Sequence, residues 1–305
     1  MATEQLSSPS GQAAAPAEVV KRPMSLWQRR WRRFRRNRLS MLGAVVVVFL
    51  VLLAIFGPYF APYPKDATGA VHIADRLKPP SAEHWMGTDD VGRDILSRIL
   101  VGSRLSLGAG VIVLLVAIGI GATLGALSGY IGGAFDRLLQ RVTDIFLTVP
   151  DLILAMAVSA ALGPSLVNVV IAISLVWWPG YCRLVRAEVL RTKNELFVEA
   201  TRALGTPDWQ ILFRHVIPNI LTPVLVKASM DIGFAVLTLA SLGFIGLGSQ
   251  PPAPDWGKMI SDGRRFLPES WWISAFPGMA IFMTVFAFNL LGDGVRDVFD
   301  PRARD

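Results

Sequence analysis

The chain has 305 residues, of which 52% are hydrophobic and only 17% are Asp, Glu, Lys or Arg, against roughly 25% charged residues in soluble domains. That balance excludes an ordinary water-soluble globular protein. A single cysteine, Cys182, excludes an internal disulfide framework or a thiolate zinc cluster within one chain. The net charge of +7 takes its meaning from where the bases sit.

Positions 1–20 are rich in Ala, Ser, Pro and Gln and read as a tail without a core of its own. Lys21, Arg22, Arg29, Arg30, Arg32, Arg33, Arg35, Arg36 and Arg38 follow with no acid between them, interleaved with Leu26, Trp27, Trp31 and Phe34. This pattern predicts an interfacial helix with aromatic groups at headgroup depth. Its place directly before an apolar run favours the positive-inside rule over nucleic-acid binding and sets the N-terminus in the cytoplasm.

Five stretches carry no Asp, Glu, Lys or Arg: 39–64, 105–135, 152–182, 232–254 and 270–292. A membrane-spanning helix needs about 20 apolar residues, and no regular polar alternation suggests strands. The first, second, fourth and fifth runs predict one span each, the second over 107–128. The third is interrupted by Gly163-Pro164-Ser165 and predicts two short helices, about 144–162 and 166–183; one long tilted helix is the competing reading. The resulting chain is all-α, with six spans and both termini inside. Its expected parts are a tail and basic helix (1–38), a first span (39–60), an external segment (61–104), a five-helix core (105–295) and a short cytoplasmic tail (296–305).

Within the external segment, Asp89-Asp90-Val91-Gly92-Arg93-Asp94 leads into Ile95, Leu96, Ile99 and Leu100 on one helical face. This predicts a short amphipathic helix on the outer surface, with its acids serving as a cap and in ion pairs. The acids lack the spacing of a calcium loop. In the second span Gly121, Gly125 and Gly129 recur every four residues in register with Ala109, Val113 and Ala117, a pattern that permits close helix crossing. Pro150 and Pro179 are expected to loosen their helices. Lys227 and Asp231 stand four apart near the start of the fifth span, as an interfacial ion pair or a lining of a substrate path.

The stretch from Glu195 to Asn219 has a different character. Leu196, Phe197, Ala200, Ala203 and Leu204 form a helical stripe, with Glu199 and Arg202 on the polar side. Gly205 should end that helix in a left-handed conformation. Thr206, Pro207 and Asp208 suit a new helix start, followed by Trp209, Ile211, Leu212 and Phe213, then Arg214-His215-Val216-Ile217-Pro218. Two short helices about a glycine turn, hung between spans, make a docking element.

These residues resemble the EAA motif of binding-protein-dependent ABC importer permeases. Glu199-Ala200-Thr201, Gly205 and Pro218 fit its triplet, glycine and closing proline. Thr201 replaces the second alanine, and His215-Val216-Ile217-Pro218 occupies the hydrophobic ending. Gly87-Thr88-Asp89, Gly92-Arg93-Asp94, Ser241 to Gly248, Pro251 to Gly257 and Asn289 to Asp297 resemble the peptide and nickel branch, in its C-type dipeptide or oligopeptide form. The resemblance implies a type I importer (MetI-like) fold in a bacterial cytoplasmic membrane. It implies that Glu199, Ala200, Thr201, Arg202, Gly205, Asp208, Arg214, His215 and Pro218 couple the chain to two ATPase subunits. It further implies a B-type permease partner, an external solute-binding protein and a peptide substrate, with nickel chelates, glutathione or sugars as alternatives.

ATP and magnesium would then reside on the ATPases. The chain has no G-x-x-x-x-G-K-[ST] loop and no HExxH pair, and His72, His84 and His215 are scattered, so neither an enzyme nor a cofactor is expected in it. An ion-coupled secondary transporter is the remote alternative, with only Lys227 and Asp231 to serve it.

Overall fold

The computed structural model describes residues 31–299, residue 33 excepted. The expected N-terminal tail, most of the basic helix and residues 300–305 of the C-terminal tail lie outside the described residues; positions 31–32 and 34–36 are helical. The architecture is all-α. Among the described residues, five helices are long and apolar enough to span a membrane, and a sixth span results if one pair of helices bent by 92° crosses as a unit.

Helix α1 (Arg38–Phe60) starts at Asn37, whose side chain accepts from the amides of Leu39 and Ser40 and donates to Asp297 Oδ2 at 3.2 Å. This bond ties the start of the first span to the end of the last, α10 (Trp272–Phe299). The two lie at one end of the bundle, as an even number of spans requires.

Helix α2 (Ile95–Ile131) runs unbroken for 37 residues. The amphipathic helix expected on the outer surface is therefore the beginning of this span. Its polar side is buried as well as its apolar side: Ser97 and Arg98 are as enclosed as Ile95. Local compensation makes that burial tolerable. Asp94 caps the helix through the Ser97 amide at 2.7 Å and meets His84 Nδ1 at 3.1 Å, and Arg98 donates to the Asp66 carbonyl at 3.2 Å. Asp89 accepts from Arg93 at 2.7 Å. The acids of this segment act as a cap and as ion-pair partners. No group of three or more His, Cys, Asp or Glu among the described residues is placed to hold a metal.

The glycine stripe of α2 faces α5 (Leu166–Thr192). A Cβ at Gly121 would stand 2.4 Å from the Trp178 carbonyl oxygen, and one at Gly125 would stand 2.4 Å from that of Cys182. Only hydrogen fits at these crossings, so small-residue packing between helices sets this seam. Around it Val113, Ala117, Val169, Ile173 and Val185 form the centre of one core cluster.

The third charge-free run departs from expectation at its start. Helix α3 (Gly133–Thr148) is amphipathic, and helix α4 (Asp151–Leu162) follows after a break at Val149-Pro150. Proline's missing N–H and ring bulk explain the break. The chain leaves α4 at Gly163 and starts α5 at Leu166, so the long tilted helix is excluded. Pro179 lies inside α5 without interrupting it.

On the face opposite the Asn37–Asp297 pair, helix α9 (Trp256–Gly263) tucks in between the spans. Asp255 caps it through the Gly257 and Lys258 amides at 2.8 and 3.3 Å, and burial pushes this carboxyl above the ordinary carboxylate value, against the pull of those amides. Trp256 Nε1 donates to the Ile99 carbonyl and Trp272 Nε1 to that of Thr88, both at 3.2 Å. The segment before α2 and the segment around α9 thus pack as one layer.

Candidate functional site

Helix α6 (Leu196–Ala203) follows α5 and stands away from the bundle. Its apolar stripe is turned outward: Leu196 is 82% exposed and Leu204 86%. Val198, fully buried, is the single anchor on the bundle side. The helix thus presents exposed leucines and a single buried valine.

The turn after α6 closes as expected. Gly205 has φ +81°. Its amide donates to the Arg202 carbonyl at 2.9 Å, and the Thr206 amide reaches that of Thr201 at 3.4 Å. These two bonds are the Schellman pattern, which needs a left-handed residue at this point. No atom lies within 4 Å of where a Gly205 Cβ would stand.

The second half differs from the sequence expectation. Pro207, not Thr206, takes the N-cap position of α7 (Asp208–Ile211), and no side chain caps it. A π turn (Leu212–Val216) then carries the helix directly into α8 (Ile217–Ile245). There is no separate second short helix: 208–245 is one continuous rod. The widened turn accommodates Pro218, whose ring would clash with the Arg214 carbonyl in a regular α-helix. Ile211, Leu212 and Val216 are buried, whereas Trp209 is 67% and Phe213 61% exposed. The two faces of the rod's first turns therefore separate cleanly, and Trp209 and Phe213 extend the outward apolar surface of α6.

Among the predicted residues, the structure joins Arg202 to Asp208 at 3.8 Å. It adds Tyr130, which the sequence alone did not single out. Its hydroxyl donates to Asp208 Oδ1 at 2.7 Å and links the turn to the end of α2. Thr201 Oγ1 donates to the Phe197 carbonyl, and the His215 carbonyl accepts from Asn219. Glu199, Ala200, Arg214 and Pro218 are exposed. Nearby, Asp136 accepts two bonds from Arg186 at 2.5 and 2.6 Å, and Lys193 donates to the Gly129 carbonyl at 2.8 Å. The ends of α2, α3 and α5 are thereby tied together beside the Gly205 turn.

Lys227 and Asp231 come together within the bundle. Lys227 Nζ lies 2.9 Å from Asp231 Oδ2 and 5.2 Å from the centre of the Tyr181 ring. The Tyr181 hydroxyl donates to the same carboxylate oxygen at 2.7 Å. The pair stands where two clefts meet. One, of about 310 Å³, is lined by Asp151, Trp177, Tyr181 and Thr238. The other, of about 840 Å³, reaches past Glu188, Asn219 and Met230 to Arg296. Both clefts share Lys227, Asp231 and Phe234. The sequence pointed to the pair but not to Tyr181 or Asp151, which come from other helices.

Comparison with known proteins agrees with this geometry. Residues 121–305 match the family model described as binding-protein-dependent transport system inner membrane component. Residues 25–80 match the N-terminal transmembrane domain of oligopeptide transport permease C. The chain is 46% identical over 265 residues to a probable D,D-dipeptide transport system permease protein of Escherichia coli (strain K12), covering 87% of this chain and 88% of that one. It is 42% identical to a dipeptide transport system permease protein of Alkalihalophilus pseudofirmus, over 95% of this chain and 94% of the relative. It is 43% identical to a glutathione transport system permease protein of Pectobacterium atrosepticum, over 96% of each. With its spans, its outward-facing turn and these matches taken together, the chain belongs to the inner membrane permeases of binding-protein-dependent ABC importers, a family of transport components rather than enzymes.

Proposed function

We propose that the chain forms one half of a translocation path for short peptides, glutathione included, and that the surface from Leu196 to Pro218 couples this path to cytoplasmic ATPase subunits. The observation that carries the reading is the outward apolar surface of Leu196, Leu204, Trp209 and Phe213 around the Gly205 turn. An ATPase cleft would cover it, with the exposed Glu199 and Arg214 at its margin.

The continuous rod 208–245 gives the coupling a direct route. Asp208 lies in the docking turn and Asp231 at the junction of the clefts, about 35 Å apart along a helix rising 1.5 Å per residue. A push on the turn would reach the charged pair along continuous helix, by way of the π turn at Leu212–Val216. ATP-driven closure would then shift the population between two packings of the bundle, with ATP and magnesium held by the ATPases. A second, B-type permease would complete the path, and a solute-binding protein would deliver substrate to the layer formed by the segments around 61–95 and 246–272. The bases at Arg32, Arg35, Arg36 and Arg38 support a cytoplasmic side for the docking face, and with it both termini, of a bacterial inner membrane protein.

Relatives named for D,D-dipeptides, dipeptides and glutathione support a broad class of short peptides over dipeptides alone. Titration calorimetry of the associated solute-binding protein with each ligand tests this directly. Binding confined to a nickel chelate or a sugar would overturn the peptide assignment.

A further inference from the structure

The cleft of about 310 Å³ is unbalanced in charge. Asp151, Lys227 and Asp231 are the ionisable side chains along it besides Tyr181. The Lys227 charge is committed to Asp231 at 2.9 Å, and Tyr181 saturates the same oxygen at 2.7 Å. Asp151 is left over. No described residue donates a hydrogen bond to its carboxylate or stands within ion-pairing distance, and Lys227 acts on it only through space. The start of α4 offsets part of the cost of that charge through its dipole. Asp151 is exposed along the cleft, so its carboxylate is open to a cationic ligand, in a membrane-embedded bundle where ionisable groups mark substrate pathways.

Three aromatic side chains, Trp177, Tyr181 and Phe234, line the same space. They supply apolar surface for a side chain and π faces for a cation. The volume is at the lower end of the roughly 300–1,000 Å³ of small-ligand sites. A compact cation with several N–H donors on a short peptide fits both the size and the charge.

We propose that Asp151 is the counter-ion for the free α-ammonium group of a peptide in transit, held against Trp177 and Tyr181 beside the Lys227–Asp231 pair. The inference rests on reading the cleft as part of the translocation path. It explains how one path accepts substrates of differing side chains: the ammonium group is common to them, and the rest of the molecule is left to the aromatic wall.

The test uses the full membrane complex, both permeases with both ATPase subunits, in nanodiscs without the solute-binding protein. The probe is a tripeptide with a diazirine side chain at its centre, with either a free or an acetylated amino terminus. Mass spectrometry reads crosslinks to the helices bearing Tyr181 and Phe234. The free-amine probe should label at least about tenfold more than the acetylated one, the scale of one charge-assisted hydrogen bond. Asp151→Asn should bring the free-amine yield down to the acetylated level and leave the acetylated yield unchanged, and Asp151→Glu should restore the difference.

Equal labelling of the cleft by both probes would overturn the ammonium site and leave the path standing. Absence of label in the cleft from either probe, in a complex whose ATP hydrolysis is stimulated when its binding protein and peptide are added, would overturn the path itself. If Asp151→Asn dissociates the complex while Asp151→Glu preserves it, the carboxylate serves a neighbouring chain and the inference falls.

Discussion

Replacing Gly125 by alanine tests the seam on which the bundle is built. The added Cβ would lie 2.4 Å from the Cys182 carbonyl oxygen and 3.0 Å from its Cα, where ordinary contacts begin at 3.4 Å. Both obstacles are backbone, so no side chain can rotate away, and α2 and α5 must part by about 1 Å. Overpacking of this kind costs about 1–3 kcal/mol. Alanine also favours a helix over glycine by about 1 kcal/mol, which would blur a single measurement. Gly119 supplies the control: it lies on the same helix, and nothing stands within 4 Å of its added Cβ. Equilibrium unfolding in mixed detergent micelles should therefore show Gly125→Ala less stable than Gly119→Ala by about 1–3 kcal/mol, the propensity gain cancelling between them. Stabilities equal within about 0.5 kcal/mol would refute the close-crossing account.

The left-handed Gly205 should rank its replacements by backbone strain, about 1–2 kcal/mol for an ordinary L-residue and less for asparagine. Coupling of ATP hydrolysis to uptake should fall from Gly205→Asn to Gly205→Ala, and Gly205→Leu should fall below alanine if a partner occupies the open space beside it; equal coupling in all variants would sink the hinge. Arg186→Lys should lose the paired bonds to Asp136 and destabilise the chain by about 1–2 kcal/mol, read by the same unfolding assay, and an unchanged midpoint would contradict that lock. In sealed cells, cysteines at Ala82 and Glu269 should react with an impermeant maleimide while one at Asn194 stays protected. The buried Cys182 gives a silent background, and labelling at 194 from outside would reverse the topology.

Much of the fold was legible in the sequence because lipid imposes long charge-free runs, and the glycine register of α2 declared its own packing partner in kind. The positive φ at Gly205 was legible too, since a glycine between an amphipathic stripe and Thr-Pro-Asp has few other uses. What escaped depended on contacts distant in sequence. Ser97 and Arg98 looked like a surface helix because their partners Tyr63, Asp66 and Asp89 lie in a loop that folds over them. Pro218 was legible only as the motif's closing proline; the π turn that absorbs it and leaves the rod continuous was not. In the cleft, Lys227 and Asp231 announced themselves by a four-residue spacing. Tyr181 and Asp151 could not, since only the crossing of α4, α5 and α8 brings them to the same space.

The central claim is that the apolar surface around Gly205 seats in an ATPase subunit. In a Cys182→Ser background, a cysteine at Leu204 should crosslink to one placed in the ATPase cleft of a transport-active complex. A cysteine at Val167, 64% exposed on another part of the chain, should not. Uptake should fall in proportion to the Leu204 crosslink and recover on reduction. Equal yields at both positions, or full uptake with the Leu204 crosslink absent in every nucleotide state, would contradict the account.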